Sequence, residues 1–479
     1  MKDYLLPRSR PEEQGVDPTR ILAFIQSLEE NKIEFHGFTL VRHGFVISEG
    51  YWKPYRQELP HMLFSLSKSF TSTAIGLAVS EGLLTIEDRV IDFFPNDLPL
   101  DLDEKYKGLC VKHLLCMGTG HKEDFVEEAW THKNWARLFF EHPLTYEPGT
   151  HFLYNNFATY MLSAIISKVT GGTLYNYLKP RLFDPLGIEN PTWETDPRGI
   201  SIGFMGLNIK NEDIAKFGLM LLNKGVFNGQ RVVPEEWIIE ATSKKISNGD
   251  NPNSDWNLGY GYQFWMCRHN AFRGDGAFGQ FCLVLPDQDA VMAINSGIND
   301  MQIVLNLIYE HLLPAMSDQP LQASMSYERL ISKCRSLHYS PIVFISESSI
   351  EENINNRTYR LSKNRIGFKK MTFLFENSIC TLIVESPRGK EIIKMAKGNW
   401  MEGTTTLNND HLDRRRIVYR YVGSYSWEEG NELVIELRYI ETPFRYILKC
   451  RFEGDEVHMI LSINVSFDPN SDILMSGKF

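Results

Sequence analysis

The chain has 479 residues, of which 43% are hydrophobic and 23% charged, with a net charge of −10. That is enough apolar material for two or three domains with large cores, and it excludes a mainly disordered state. The acidic balance argues against nucleic acid as the main partner, because phosphate binding needs concentrated Lys and Arg.

The first residues, Met1 to Arg8, contain no long apolar run, and Pro7, Pro11, Glu12 and Glu13 follow at once, so no signal peptide is expected. No stretch is apolar for long enough to span a bilayer, and the expectation is a cytoplasmic, soluble protein. Asp17 can cap a helix through Glu29 with Ile21, Leu22, Phe24, Ile25 and Leu28 as its apolar stripe. Two β-type runs, Gly37 to Arg42 and Phe45 to Gly50, flank His43-Gly44 and predict a hairpin. Helices are predicted from about Ser65 to Glu81, with Phe70, Ala74, Leu77 and Ala78 as the buried stripe, from Asn156 to Val169, and from Asn211 to Asn223. The stretch Ala315 to Ser326 reads as a linker, followed by one short helix near Tyr327 to Leu337. The remainder reads almost entirely as strands, for example Ile342 to Ser346, Met371 to Glu376, Cys380 to Glu385, Arg416 to Val422, Leu433 to Tyr439, Tyr446 to Phe452 and Val457 to Val465. Turn residues separate them at regular spacing, which predicts a small antiparallel barrel or sandwich. The domain expectation is therefore 1–315, a linker and short helix over 316–338, and a β-rich domain over 339–479, for which a lipocalin-like barrel is one form. The seven cysteines show no CxxC pair, and free thiols are expected.

Three segments carry chemistry. Ser65-Leu66-Ser67-Lys68 opens a predicted helix, where positions i and i+3 share a face, so the Ser65 hydroxyl and the Lys68 amine can meet. A serine nucleophile needs such a base, together with N–H donors for the oxyanion. Ser65 is equally suited to be an N-cap. Tyr154-Asn155-Asn156 lies on a loop that opens the next helix; a tyrosine beside a cationic lysine can have its pKa lowered and act as a base. Asn156 can grip a substrate amide, position the lysine or cap the helix. Gly274-Asp275-Gly276-Ala277-Phe278-Gly279-Gln280 leads into the strand Phe281 to Leu285, and the N–H of Ala277 can pair with that of Ser65 as an oxyanion hole. Its G-x-G-x-x-G spelling is not a dinucleotide site, because that motif must follow a strand and open a helix.

In this order, and with Glu81 to Asp88, Val111 to Gly120, Pro148-Gly149, Pro185-Leu186-Gly187, Asp213 to Gly218 and Gly259-Tyr260-Gly261-Tyr262 between them, these segments resemble the β-lactamase-like serine hydrolase family over about residues 10–312. That family includes class C β-lactamases, penicillin-binding carboxypeptidases, D-amino-acid peptidases, carboxylesterases and aminohexanoate-oligomer hydrolases. The resemblance implies an α+β fold, an antiparallel sheet flanked by helices plus a helical subdomain, followed by the barrel-like domain. It also implies Ser65 as nucleophile, Lys68 as activator, Tyr154 as general base, Asn156 as a substrate-side contact, and Ala277 with Gly276 at the oxyanion hole. Lys68 and Tyr154 are expected to titrate as a coupled pair, with either able to take the serine proton. No cofactor is required.

One position departs from the family. β-Lactamases and penicillin-binding enzymes carry a Lys, and relatives often a His, where this chain has Gly274. Without a cation for a substrate carboxylate, a neutral ester or amide is expected over a β-lactam, with Arg273 as a partial substitute. The alternatives are a D-amino-acid peptidase or amidase with the same machinery, and a non-catalytic ligand-binding protein. The C-terminal domain is a candidate lid or dimer contact, and a homo-oligomer is compatible with the sequence. The 13 histidines form no H-E-x-x-H, so no metal is expected; His113, His121 and His151 read as structural or surface residues. Trp256, Tyr260, Tyr262 and Trp265 are expected either to wall an acyl pocket or to pack in the core. Asp413 to Arg416 reads as a solvated turn.

Overall fold

Near the N-terminus, apolar periodicity of 3.6 gives way to a hairpin, and this transition sets up the first of two units in the structure, a computed structural model describing residues 5–344, 348–407, 417–428, 431–468 and 472–479. The first unit comprises the chain up to Tyr51, Pro60–Ser296 and Asp300–Ser336; the second comprises Trp52–Leu59, Gly297–Asn299 and Leu337–Phe479.

In the first unit, helix α1 (Pro18–Glu30) starts at the expected cap, with the Asp17 carboxylate accepting from the Thr19 N–H at 2.8 Å. Strands β1 (Phe35–Arg42) and β2 (Phe45–Tyr51) form the predicted hairpin. Four later strands complete an antiparallel sheet: β3 (Trp265–Met266), β4 (Phe272–Gly276), β5 (Gln280–Leu285) and β6 (Ala290–Ser296), in the order β2-β1-β6-β5-β4-β3. Strands β1, β5 and β6 are buried along their whole length. Both faces are covered: Phe24 of α1 meets Phe35 and Phe38 edge-on, and helix α4 (Asn211–Leu222) packs on β1, β5 and β6. Helices α2 (Ser67–Ser80) and α3 (Asn156–Thr170) pack together.

Helix α2 is not one-sided, as its apolar stripe predicted. Every residue from Ser67 to Ala78 is buried. Its hydroxyls tolerate this by bonding to backbone: Thr73 Oγ1 to the Ser69 carbonyl (2.9 Å), Thr71 Oγ1 to that of Gly203 (2.9 Å) and Ser69 Oγ to that of Gln263 (2.9 Å).

The expected linker over 316–338 belongs to the first unit as far as Ser336. Its composition is polar, but its backbone is tied down: the Ser317 N–H donates to the Gly15 carbonyl and the Leu321 N–H to that of Glu12, both at 2.8 Å. Helix α5 (Ser326–Ser336) lies against α1.

In the second unit, nine strands among the described residues close into a barrel. They are β7 (Arg357–Leu361), β8 (Lys370–Glu376), β9 (Ile379–Ser386), β10 (Gly389–Lys397), β12 (Tyr419–Glu428), β13 (Glu432–Tyr439), β14 (Arg445–Glu453), β15 (Glu456–Ile463) and β16 (Ile473–Lys478), with β11 (Met401–Thr405) paired to β12. Neighbours are antiparallel except at the closing seam, where Ala396 and Lys397 pair in parallel with Ser424 and Tyr425. Period-2 alternation sends Met371, Phe373 and Phe375, then Cys380, Leu382 and Val384, to the buried face. A cavity of about 40 Å³ remains inside, lined in part by Met371, Leu382, Val384, Leu437, Leu448 and Met475. Strand β12 is buried on both faces because Tyr55, Leu59, Tyr339 and Trp400 pack over Val422 and Ile440.

The strand expected from Ile342 does not form over 342–344; the Phe344 N–H is held by Ser426 Oγ at 2.8 Å instead of by a ladder. Asp413 to Arg416 lie outside the described residues. No helix among the described residues is long and apolar enough to cross a membrane.

Candidate active site

Ser65 does not begin the helix. It sits in a 3-10 turn, Phe64–Leu66, ahead of α2, and the turn is entered through Phe64 at φ 48°. A left-handed backbone at a bulky residue is strained. The strain is held by the Leu63 N–H on the Leu207 carbonyl (3.0 Å) and by the Phe64 ring edge-on to Phe278. The helix N-cap is Leu66, which caps nothing with its side chain, so Ser65 is not the cap. Its hydroxyl is half-buried and accepts from Lys68 Nζ at 2.9 Å.

The Lys68 amine makes two further bonds, to Asn156 Oδ1 (2.8 Å) and to the Phe204 carbonyl (3.2 Å). Its Nζ lies 4.7 Å from the Tyr154 ring centre and 5.5 Å from that of Phe204. Burial pushes the amine down from its ordinary 10.5 to about 7, against the opposing pull of Asp124 and Asp275. Tyr154 moves the other way. Burial raises its phenol well above the usual range, Asp275 adds to this, and a hydrogen bond with Ser65 only partly offsets it. The expectation of a lowered tyrosine pKa is therefore reversed, because desolvation, with Asp275 and Asp124 beside it, outweighs the Ser65 hydrogen bond and the Arg273 cation. Lys68 is the stronger candidate base and Tyr154 a proton-carrying phenol.

Helix capping at α3 falls to Asn155, whose side chain accepts from the Ala158 N–H (3.3 Å). Asn156 is thereby released from capping, and its Nδ2 donates to Asp124 Oδ2 at 2.7 Å. Tyr154 stacks on Trp265 (5.2 Å between ring centres, 21°), and Tyr260 closes edge-on. Tyr262 is elsewhere, stacked on Trp237.

At the third motif, β4 ends beside the Ser65 turn. A Cβ on Gly276 would lie 2.0 Å from the Leu63 carbonyl oxygen, and one on Gly274 would lie 2.4 Å from Ser69 Oγ. A side chain at Gly274, a lysine included, would have to displace Ser69 Oγ and Leu66 Cδ1. Ala277 follows in a tight turn with Phe278 (φ 64°) and Gly279 (φ 87°). Among the described residues neither the Ala277 N–H nor the Ser65 N–H has a hydrogen-bond partner.

Arg273 is no substitute for the missing cation. It is fully buried, with Nε on Asp275 Oδ2 (2.8 Å), Nη1 on the Asp255 carbonyl (2.8 Å) and its guanidinium 4.1 Å from the centre of the Trp256 ring. Asp275 also bonds to Trp265, the ring on which Tyr154 rests.

His121 is buried between Tyr106 and Thr119, and burial lowers it to about 4. His113 bonds the Cys110 N–H. His151 is exposed and stacks on Tyr146. No group of three metal-ligating side chains occurs among the described residues. Sequence reasoning missed Asp124, which no motif flags, the Phe204 carbonyl, which no sequence pattern can reveal, and the strain at Phe64.

The sequence profile of the family described as Beta-lactamase matches residues 25–302. A 6-aminohexanoate-dimer hydrolase from Paenarthrobacter ureafaciens is 27% identical over 299 residues, covering 57% of this chain and 75% of that protein. A lovastatin esterase from Penicillium rubens is 28% identical over 163 residues, 28% of this chain and 40% of that protein. Among solved structures, EstCE1, a hydrolase with promiscuous acyltransferase activity, superposes with a TM-score of 0.50 at 17% identity, covering 61% of this chain and 98% of that one; the likeness shows the fold.

Proposed function

The chain belongs to the beta-lactamase family, and from that premise we propose that it is a serine hydrolase that cleaves a small, non-anionic ester or amide through an ester formed on Ser65. The observation that carries this reading is the 2.9 Å contact between Ser65 Oγ and a buried amine lowered to about 7. A base poised near neutrality removes the serine proton most effectively.

In the proposed reaction, neutral Lys68 takes the Oγ proton while Oγ attacks the substrate carbonyl carbon. The N–H groups of Ser65 and Ala277 stabilise the oxyanion, a contribution of about 3–4 kcal/mol for a single donor in a comparable site. Collapse of the tetrahedral species breaks the bond to the alcohol or amine. That leaving group takes the Tyr154 phenolic proton, and Lys68 returns one to Tyr154. Water then repeats the sequence on the Ser65 ester, releasing the acid and restoring the hydroxyl.

Two features favour a non-anionic substrate. Gly274 supplies no cation where the family uses one against a carboxylate, and Arg273 is committed to Asp275. The relative named as a lovastatin esterase supports the ester bond type.

Intact mass after exposure to a fluorophosphonate probe tests the nucleophile. One adduct on the native protein and none on Ser65→Ala is expected; an unlabelled native protein refutes the reading. Turnover of short-chain nitrophenyl esters should exceed that of nitrocefin, and the reverse order refutes the substrate assignment.

A further inference from the structure

Asp124 lies on no motif, yet it ends a chain of contacts that begins at the nucleophile. Its Oδ2 accepts from Asn156 Nδ2 at 2.7 Å, Asn156 Oδ1 accepts from Lys68 Nζ at 2.8 Å, and Lys68 reaches Ser65 Oγ at 2.9 Å. The other carboxylate oxygen is withdrawn from solvent with no hydrogen-bond partner among the described residues. Burial raises this carboxyl above its ordinary value, and the Asn156 hydrogen bond, the Lys68 amine and the Asn156 and Phe125 backbone oppose that rise and favour the ionised form.

An asparagine amide can present either its oxygen or its nitrogen to a neighbour. An ionised carboxylate only accepts, so Asp124 compels Asn156 to turn its nitrogen outward and its oxygen to Lys68. A neutral lysine amine has two N–H bonds and one lone pair. With Asn156 Oδ1 and the Phe204 carbonyl taking the two N–H bonds, the lone pair faces the Ser65 hydroxyl. A flipped Asn156 would offer an N–H to the amine, and the lone pair would be spent on it instead of on Ser65.

We propose that Asp124 is a positioning residue that fixes the Asn156 amide orientation and thereby aims the Lys68 lone pair at Ser65. This rests on the assignment of Ser65 as nucleophile. Asp124 has a second, electrostatic effect. The charged groups that bear on Lys68 are Asp124 from the loop ahead of the short helix Val126–Ala129 and Asp275 from β4, with Arg273 compensating Asp275, and both carboxylates raise the amine against burial. Tyr154 faces it as a neutral ring.

The test is the rate of fluorophosphonate labelling at Ser65 from pH 5 to 9, in the native protein, Asp124→Asn and Asp124→Ala. The native rate should rise with a midpoint near 7. Asp124→Asn keeps an oxygen for Asn156 but loses the charge, so its midpoint should fall by roughly one pH unit while its plateau is largely kept. Asp124→Ala frees the amide and should lose roughly 10- to 100-fold at the plateau. Two variants that fall together and keep the native midpoint would overturn the positioning role. Native protein unlabelled at every pH would overturn the nucleophile assignment and this inference with it.

Discussion

Replacing Lys68 by methionine should abolish labelling at Ser65 and make the protein more stable at neutral pH. The side chain is 1% exposed, and its amine sits at about 7 in place of 10.5. Each tenfold loss of proton affinity is worth ~1.4 kcal/mol, so keeping this lysine in its site costs about 5 kcal/mol at pH 7 and below. Because the folded value is depressed for a base, the unfolded chain binds more protons between about 7 and 10.5, and stability rises with pH through that window. Methionine fills similar space without charge, but it leaves the Asn156 and Phe204 oxygens without their donor, a loss of ~1–3 kcal/mol. The net gain expected at pH 7 is therefore about 2–4 kcal/mol. Urea unfolding followed by tryptophan fluorescence, at intervals from pH 6.5 to 9.5, measures both effects. The variant should start higher and the two curves should converge as pH rises. Parallel curves would refute a depressed Lys68 and, with it, the argument that burial makes this lysine the base.

Tyr154→Phe keeps the ring on Trp265 but removes the transferable proton, so ester turnover should drop ~10²–10⁴-fold while slow probe labelling survives; unchanged turnover would remove Tyr154 from the mechanism. Gly276→Ala places a methyl 2.0 Å from the Leu63 oxygen, and β4 must retreat from the Ser65 turn. Thermal melts should show a loss of ~1–3 kcal/mol, and labelling should fail through displacement of the Ala277 N–H; full labelling would show that this N–H is not an oxyanion donor.

Helix α1, the hairpin β1–β2, helix α3 and six of the nine barrel strands were legible because their apolar periods of 2 and 3.6 are strong and the ends of the first three carry Asp17, His43-Gly44 and Gly171-Gly172. The S-x-x-K and Y-x-N segments were legible as candidates because their spacing limits what can meet. What the sequence hid depends on contacts made across long chain separations. Arg273 looked free because strand alternation says which face a residue takes and not what waits there; Asp255 and Asp275 waited there. The direction in which Tyr154 moves was hidden because a neighbour's charge can be guessed from sequence and the depth of burial cannot. The polar stretch before α5 read as a linker because its contacts are made by backbone groups, which composition does not encode.

The brief excursion of Trp52–Leu59 into the barrel unit has a consequence for biosynthesis. There the Lys53 N–H bonds the Leu337 carbonyl, the Tyr339 N–H bonds that of Lys53, and Tyr55 packs with Val422 and Ile440. These partners leave the ribosome about 280 residues or more later than the segment itself, a wait of roughly 15 s to a minute at the usual pace of synthesis. Until then, the stretch that leads directly into Ser65 is a nascent chain with exposed aromatic residues and no place to bury them. A nascent-chain arrest before Leu337 should therefore leave Trp52 and Tyr55 open to chaperones and proteases, whatever the state of the sheet already made.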